Sequence, residues 1–171
     1  MPRMTPRRVF PLETLADTAR LGRALAAALA LCNPGALLLC APLGAGKTAL
    51  ARFLAQALPG GREAEISSPS FTLANIYCTA PVTHHFDLYR LDADRPIPPE
   101  ASLEESFEDP EALTIVEWPE RLAAESLPPE RVFCRLRRGI PRRAGQAVLS
   151  GFGPKGRRFL ALLPGFLRCI P

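Results

Sequence analysis

Residues 37–50 read L-L-L-C-A-P-L-G-A-G-K-T-A-L. An apolar run enters Gly44-Ala45-Gly46-Lys47-Thr48, and an Ala-rich apolar stretch then resumes. Strand, glycine-rich turn, Lys-Thr and helix, in that order, are the context a phosphate-binding loop requires. Each residue type has a physical job there. Gly44 and Gly46 let the backbone curl, so that successive N–H groups point into one concavity. A helix starting near Lys47 adds the positive end of its dipole. The Lys47 ammonium suits the β- and γ-phosphates of a nucleotide, and the Thr48 hydroxyl suits Mg²⁺. Gly44, Ala45, Gly46, Lys47, Thr48 and Ala49 are therefore the candidate nucleotide-binding residues. The first position of the motif is normally glycine; here it is Ala41, followed by Pro42. Alanine fits if φ is negative there, and proline holds φ near about −65°. A chance match in a surface loop is the competing reading, and the flanking strand and helix patterns weigh against it.

Working outward, Leu15, Leu21, Leu25 and Leu29 recur at helical spacing from Thr14 onward, and Asn33-Pro34-Gly35 stops that helix. Ala36 to Cys40 reads as a buried parallel strand. Thr48 to Leu58 reads as a second helix, ended by Pro59-Gly60-Gly61. Residues 1–11, rich in proline and arginine, read as a loose arm. Phe71–Tyr77 and Val82–Tyr89 are rich in β-branched and aromatic residues, and only C-T-A-P separates them, which predicts a hairpin. Arg95–Pro99 reads as a Pro-rich loop and Ser102–Phe107 as a short acidic helix. Residues 113–118, L-T-I-V-E-W, read as another buried strand, and Pro119–Leu127 as a helix with proline at its start. Arg131–Arg137 and Gln146–Leu149 read as late strands, and Arg157–Leu163 as a closing helix. The expected architecture is a single α/β domain over residues 1–171. It is a three-layer P-loop NTPase-like sandwich whose mixed, mostly parallel sheet carries an antiparallel hairpin insertion.

Composition is compatible with this. The chain has 171 residues, 47% hydrophobic and 22% charged, as expected of a globular protein. At that length folding removes roughly 70% of the unfolded chain's surface from water. The net charge is +4, and Lys47 and Lys155 are the only lysines, so arginine carries nearly all the positive charge. That surplus suits phosphate or RNA backbone, or reflects base composition alone. Five cysteines without a C-x-x-C spacing argue against a disulfide scaffold or zinc site. Cys40 and Cys134 lie in apolar runs and read as buried free thiols. The N-terminus has no signal-peptide apolar block, and the richest apolar stretch is interrupted by Arg23 and too short to span a bilayer. A cytoplasmic protein without membrane association is expected.

Three further segments carry polar chemistry. S-S-P-S-F-T-L, 67–73, places hydroxyls where they either reach a γ-phosphate, Mg²⁺ or an attacking water, or simply make a Ser-Pro turn before a strand. In H-H-F-D-L-Y-R-L, 84–91, His85, Asp87 and Tyr89 share one strand face. Asp87 suits taking a proton from water or holding a metal-bound water, and otherwise reads as an edge carboxylate paired with an arginine. The histidines read as structural. L-T-I-V-E-W-P-E, 113–120, ends a buried strand with Glu117, the usual Walker B arrangement beside a P-loop, where it would hold Mg²⁺ through water. Trp118 either lies against the nucleotide or fills the core.

A-P-L-G-A-G-K-T, S-P-S-F-T-L, H-F-D-L-Y-R-L and I-V-E-W-P-E, in this order, resemble the bacterial TsaE (YjeE) family. That family is the small P-loop ATPase of tRNA threonylcarbamoyladenosine (t6A) biosynthesis, and the resemblance runs from about Thr14 to the late strands. It implies ATP and Mg²⁺ as cofactors, with Lys47 on phosphate, Thr48 and Glu117 on Mg²⁺, and Asp87 needed for hydrolysis. Ser68, Ser70 and Thr72 would form a switch-like segment, and Trp118 would sit near the nucleotide. Thr18-Ala19-Arg20-Leu21-Gly22 matches the family's N-terminal helix, and Arg142 or Arg143 the arginine that approaches the nucleotide. By the same resemblance the partner is the TsaD–TsaB heterodimer, which transfers threonylcarbamoyl to adenosine 37 of tRNA, so tRNA is met only through that complex. Ala41 and Pro42 replace the family's Gly-Asp, Ser70 replaces the commoner Thr, and the segment 151–171 matches weakly. Two rival readings remain: a small-molecule phosphotransferase, and a non-enzymatic RNA-binding module using the arginine-rich stretch 135–143.

Overall fold

A computed structural model describes residues 6–91, 103–137, 139 and 145–170. Seven strands form one sheet in the order β1-β7-β6-β2-β5-β4-β3. They are β1 (Arg7–Leu12), β2 (Ala36–Cys40), β3 (Ala74–Tyr77), β4 (Val82–Asp87), β5 (Ala112–Glu117), β6 (Arg131–Arg137) and β7 (Gly145–Phe152). The four central strands, β6-β2-β5-β4, are parallel. Antiparallel strands complete both sides: β3 on β4, and β7 and then β1 beyond β6. The sheet is thus mixed and mostly parallel, with the expected hairpin.

Alternation along the strands feeds two cores. Leu37, Leu39, Leu113, Ile115, Val132 and Cys134 point to the face covered by α1 (Leu15–Leu29), α2 (Lys47–Ala57) and α4 (Gly153–Cys169). Leu38, Phe86, Leu88 and Val116 point to the other face, under α3 (Leu103–Glu108) and the chain after β5. Each such fully buried leucine contributes about 1.5–3 kcal/mol relative to an exposed one. The layers are therefore helices, sheet and a thinner helical cover, as the alternating pattern predicted. α1 starts with a capping box. Thr14 Oγ1 accepts from the Asp17 N–H, and Asp17 accepts from the Thr14 N–H. The hydrogen bonds from Thr14 hold the Asp17 carboxyl below its ordinary range.

Four expectations change. The arm is not loose over its whole length: Arg7–Leu12 is the edge strand β1, in register with β7 from Arg7↔Ser150 to Leu12↔Gly145. Its Phe10 and Leu12 pack on the helical-face core, and Pro11 is tolerated because an edge strand need not donate on both sides. The hairpin strand begins at Ala74, not Phe71, because Leu73 sits at φ 69° in a turn closed by its N–H to the Pro69 carbonyl. Pro119–Leu127 is not one helix but two 3₁₀ turns, Pro119–Arg121 and Ala124–Ser126. The extended backbone of Leu122 and Ala123 breaks the helix where Leu122 and Leu127 pack against the sheet. The closing helix is longer than expected, Gly153–Cys169 with Pro164 inside it, because Phe159, Leu160 and Leu163 bury a full face on the core. The Pro-rich loop at 95–99 and Arg142 and Arg143 lie outside the described residues.

Candidate active site

β2 ends at Cys40, and the chain turns through Ala41–Gly46 into α2. Gly44 and Gly46 have φ of 73° and 98°. A Cβ built at either would meet nothing within 4 Å, so it is the backbone conformation and not crowding that demands glycine. Gly46 caps α2 without any side-chain bond to its first N–H groups, and such donors at a helix start suit an anion. Ala41 is not among the described non-glycine residues with positive φ, Leu73 and Trp118, so alanine is unstrained there. The Lys47 ammonium donates to the carbonyls of Ala41 and Pro42 at 2.8 and 3.3 Å. These acceptors are main-chain atoms, so the start of the loop keeps them whatever its side chains. Burial pushes the Lys47 pKa down, opposed by Glu117, Glu120 and Asp87.

Parallel pairing sets Asp87 beside Glu117 at the ends of β4 and β5, next to the loop. Both carboxylates are buried. Thr48 Oγ1 donates to Glu117 Oε2 at 3.1 Å, and His85 Nε2 lies 3.0 Å from Glu117 Oε1. Ser70 Oγ donates to Asp87 Oδ2, and Ser68 Oγ lies 2.7 Å from Ser70 Oγ. The other Asp87 oxygen accepts from the Tyr89 N–H at 3.0 Å. Trp118, at φ 60°, lays its ring 3.7 Å from the Lys47 Nζ and 5.0 Å from the Tyr89 ring.

One cleft of about 260 Å³ is bounded by Leu43, Gly44, Gly46, Lys47, Thr48, Ala49, Ser70, Asp87, Tyr89, Glu117 and Trp118. On the far side of Trp118 lies a second hollow of about 580 Å³, lined by Cys40, Ala41, Pro42, Glu120, Arg135 and Arg137. The predicted residues are not all in the cleft. Ala45 packs on the core, and Ser68 reaches the cleft only through Ser70. Thr72 spends its hydroxyl on Asn75 Oδ1 at 3.0 Å. Leu43 and Tyr89 are additions to the cleft, and His85 lies behind it against Glu117. His85 shares a strand face with Asp87, a pattern legible in the alternation, but its bond to Glu117 depends on cross-strand register. Tyr89 lies beyond the end of β4 and reaches the cleft from there.

The donor set suits a hard divalent cation. Thr48 and Glu117 present neighbouring oxygens at the cleft's inner end, of the kind Mg²⁺ prefers alongside phosphate oxygens and water. Among the described residues no group of three or more His, Cys, Asp and Glu could hold a metal by itself. No helix among them is long and apolar enough to cross a membrane.

Comparison with known proteins follows the same outline. The fold is similar to the crystal structure of Bacillus subtilis YdiB, with a TM-score of 0.72, 23% identity and 98% of each chain covered. Curated proteins named tRNA threonylcarbamoyladenosine biosynthesis protein TsaE are similar in sequence. That of Mycobacterium tuberculosis is 36% identical over 135 residues, 74% of this chain and 77% of its own. That of Treponema pallidum is 35% identical over 128 residues, 71% of this chain and 84% of its own. Residues 12–144 match the family model described as threonylcarbamoyl adenosine biosynthesis protein TsaE, and with a glycine-rich loop, two buried carboxylates and this sheet order in place, the chain belongs to the TsaE family.

Proposed function

We propose that this chain is the Mg²⁺-dependent ATPase of tRNA t6A biosynthesis, acting on the TsaD–TsaB complex that modifies adenosine 37. One observation carries the reading: the Lys47–Thr48 end of the loop, Asp87 and Glu117 converge on a single cleft. The loop's N–H groups and the Lys47 ammonium bind the β- and γ-phosphates, and Lys47 exchanges its carbonyl partners for phosphate oxygens. Thr48 and Glu117 would hold Mg²⁺, which would supply positive charge against the phosphoryl oxygens. Asp87, buried and oriented by Ser70 and the Tyr89 N–H, orients the attacking water and accepts its proton. Trp118 closes the cleft over Lys47, and the hollow beyond it leaves room for the rest of the nucleotide.

The test is phosphate release from ATP by the purified chain, alone and with TsaD–TsaB. Asp87→Asn is expected to lower turnover about 10²–10⁴-fold while ADP binding stays within a few-fold. Turnover that survives in Asp87→Asn or Glu117→Ala contradicts the assigned roles. Phosphate appearing on an added hydroxylated acceptor, not in solution, favours a phosphotransferase instead.

A further inference from the structure

Glu117 and the segment 67–75 reach the cleft from different parts of the chain, and a line of hydrogen bonds joins them behind it. Glu117 accepts from the Thr48 hydroxyl at Oε2, and its Oε1 lies against His85 Nε2. The other ring nitrogen, His85 Nδ1, lies 3.1 Å from the Tyr77 hydroxyl. That hydroxyl donates to the Ser67 carbonyl at 2.6 Å. Asn75 Nδ2 holds the same carbonyl and the Ser67 hydroxyl, each at 3.3 Å. His85 is 0% exposed and Tyr77 4%, so water does not stand in for either link. At the other end, Ser68 and Ser70 lead from this segment to Asp87.

The donors and acceptors make the line more than packing. An ionised carboxylate only accepts, so Nε2 donates to Glu117. With Nε2 turned to Glu117, Nδ1 is left facing the Tyr77 hydroxyl, which also holds the Ser67 carbonyl. A seated Ser67 carbonyl holds the Tyr77 hydroxyl against the His85 ring, which steadies the aim of Nε2 at Glu117; when Ser67 withdraws, the hydroxyl loses that anchor and the ring its support. The place of the segment 67–70 is thereby felt at the carboxylate that faces Thr48. A histidine kept only to fill the core would not need partners at both carboxylate and segment.

We propose that His85 and Tyr77 are positioning residues that couple the segment 67–70 to the Glu117 carboxylate, so that the Mg²⁺ side and the hydroxyl side of the cleft order together. This rests on the Mg²⁺–nucleotide reading of the cleft. The experiment measures ADP affinity of the full chain with Mg²⁺ and with EDTA, by calorimetry, for the wild type, Tyr77→Phe, His85→Leu and His85→Gln. The gain in affinity that Mg²⁺ brings is expected to fall about tenfold or more in His85→Leu. It falls less in Tyr77→Phe, and is partly restored in His85→Gln, whose amide keeps a donor toward Glu117. Affinity in EDTA stays unchanged in all three. Hydrogen exchange supplies a second readout: Mg²⁺ and ADP slow exchange of amides 67–73 in the wild type, and Tyr77→Phe abolishes that protection. A purely structural role predicts a lower Tm and equal losses with and without Mg²⁺, and that result overturns the coupling. So does a full Mg²⁺ gain together with intact protection in Tyr77→Phe, the variant that keeps its ring packing should His85→Leu fail to fold. A wild type with no Mg²⁺-dependent binding overturns the nucleotide reading itself, a failure distinct from that of the relay.

Discussion

The Thr48 hydroxyl donates to Glu117 Oε2 at 3.1 Å, which ties the first turn of α2 to the last residue of β5. The loop's sequence neighbours could not supply this contact, because the residues are 69 apart in the chain. It brings two oxygens together at the point where a phosphate-bound cation would sit. Thr48→Ala and Glu117→Gln are each expected to weaken ADP binding in Mg²⁺. A lost bond to a charged group is worth about 1.5–3 kcal/mol, or about 10–100-fold in affinity. Neither change should alter binding in EDTA by comparable amounts, and parallel titrations in the two buffers check this.

Lys47 and Trp118 lie in a cation–π contact at 3.7 Å, and Trp118 is the chain's one tryptophan. A phosphate that draws the ammonium away removes a charge from the indole face. ADP is therefore expected to change tryptophan fluorescence, and Lys47→Ala to abolish both the change and the binding. Trp118→Phe should keep binding, since such a contact contributes only about 0.5–2 kcal/mol. Fluorescence on the wild type and Lys47→Ala, with calorimetry on all three proteins, separates the two effects.

Gly22 sits inside α1, where glycine costs about 1 kcal/mol of helix stability relative to alanine. Its reason is the crossing of α1 over α2: a Cβ there would meet the Phe53 Cβ at 2.7 Å and the Leu54 nitrogen at 2.9 Å. Forcing two packed helices apart costs about 1–3 kcal/mol, which outweighs the propensity gain across most of that range. Gly22→Ala is expected to lower stability in urea unfolding, against the direction helix propensity alone predicts.

Burial pushes the Cys134 thiol up to about 12, while Cys78 and Cys169 are exposed. The thiolate is the reactive form, so at pH 8 an aromatic disulfide reagent should modify Cys78 and Cys169 quickly. Cys134 should react only after denaturant is added. Half-buried Cys40, its thiol also raised by burial, is expected to fall between them.

The chain itself determined the parts whose cause is local. Glycines at 44 and 46 before Lys-Thr specify a positive-φ turn into a helix, and the leucine spacing after Thr14 specifies α1. Alternation in residues 82–87 put His85 and Asp87 on one face. The tertiary structure decided whatever depends on a distant partner. Arg7–Leu12 becomes a strand only because β7 offers an edge, and Pro119–Leu127 breaks into two turns because Leu122 and Leu127 must meet the sheet. The bonds of Glu117 to Thr48 and His85, and of Ser70 to Asp87, follow from the parallel registers of β2 and β4 with β5 and from the fold of the chain before β3. Periodicity tells which face a side chain takes. Only the stacking of strands, which places residues far apart in the chain within hydrogen-bond reach, tells which side chain it finds there.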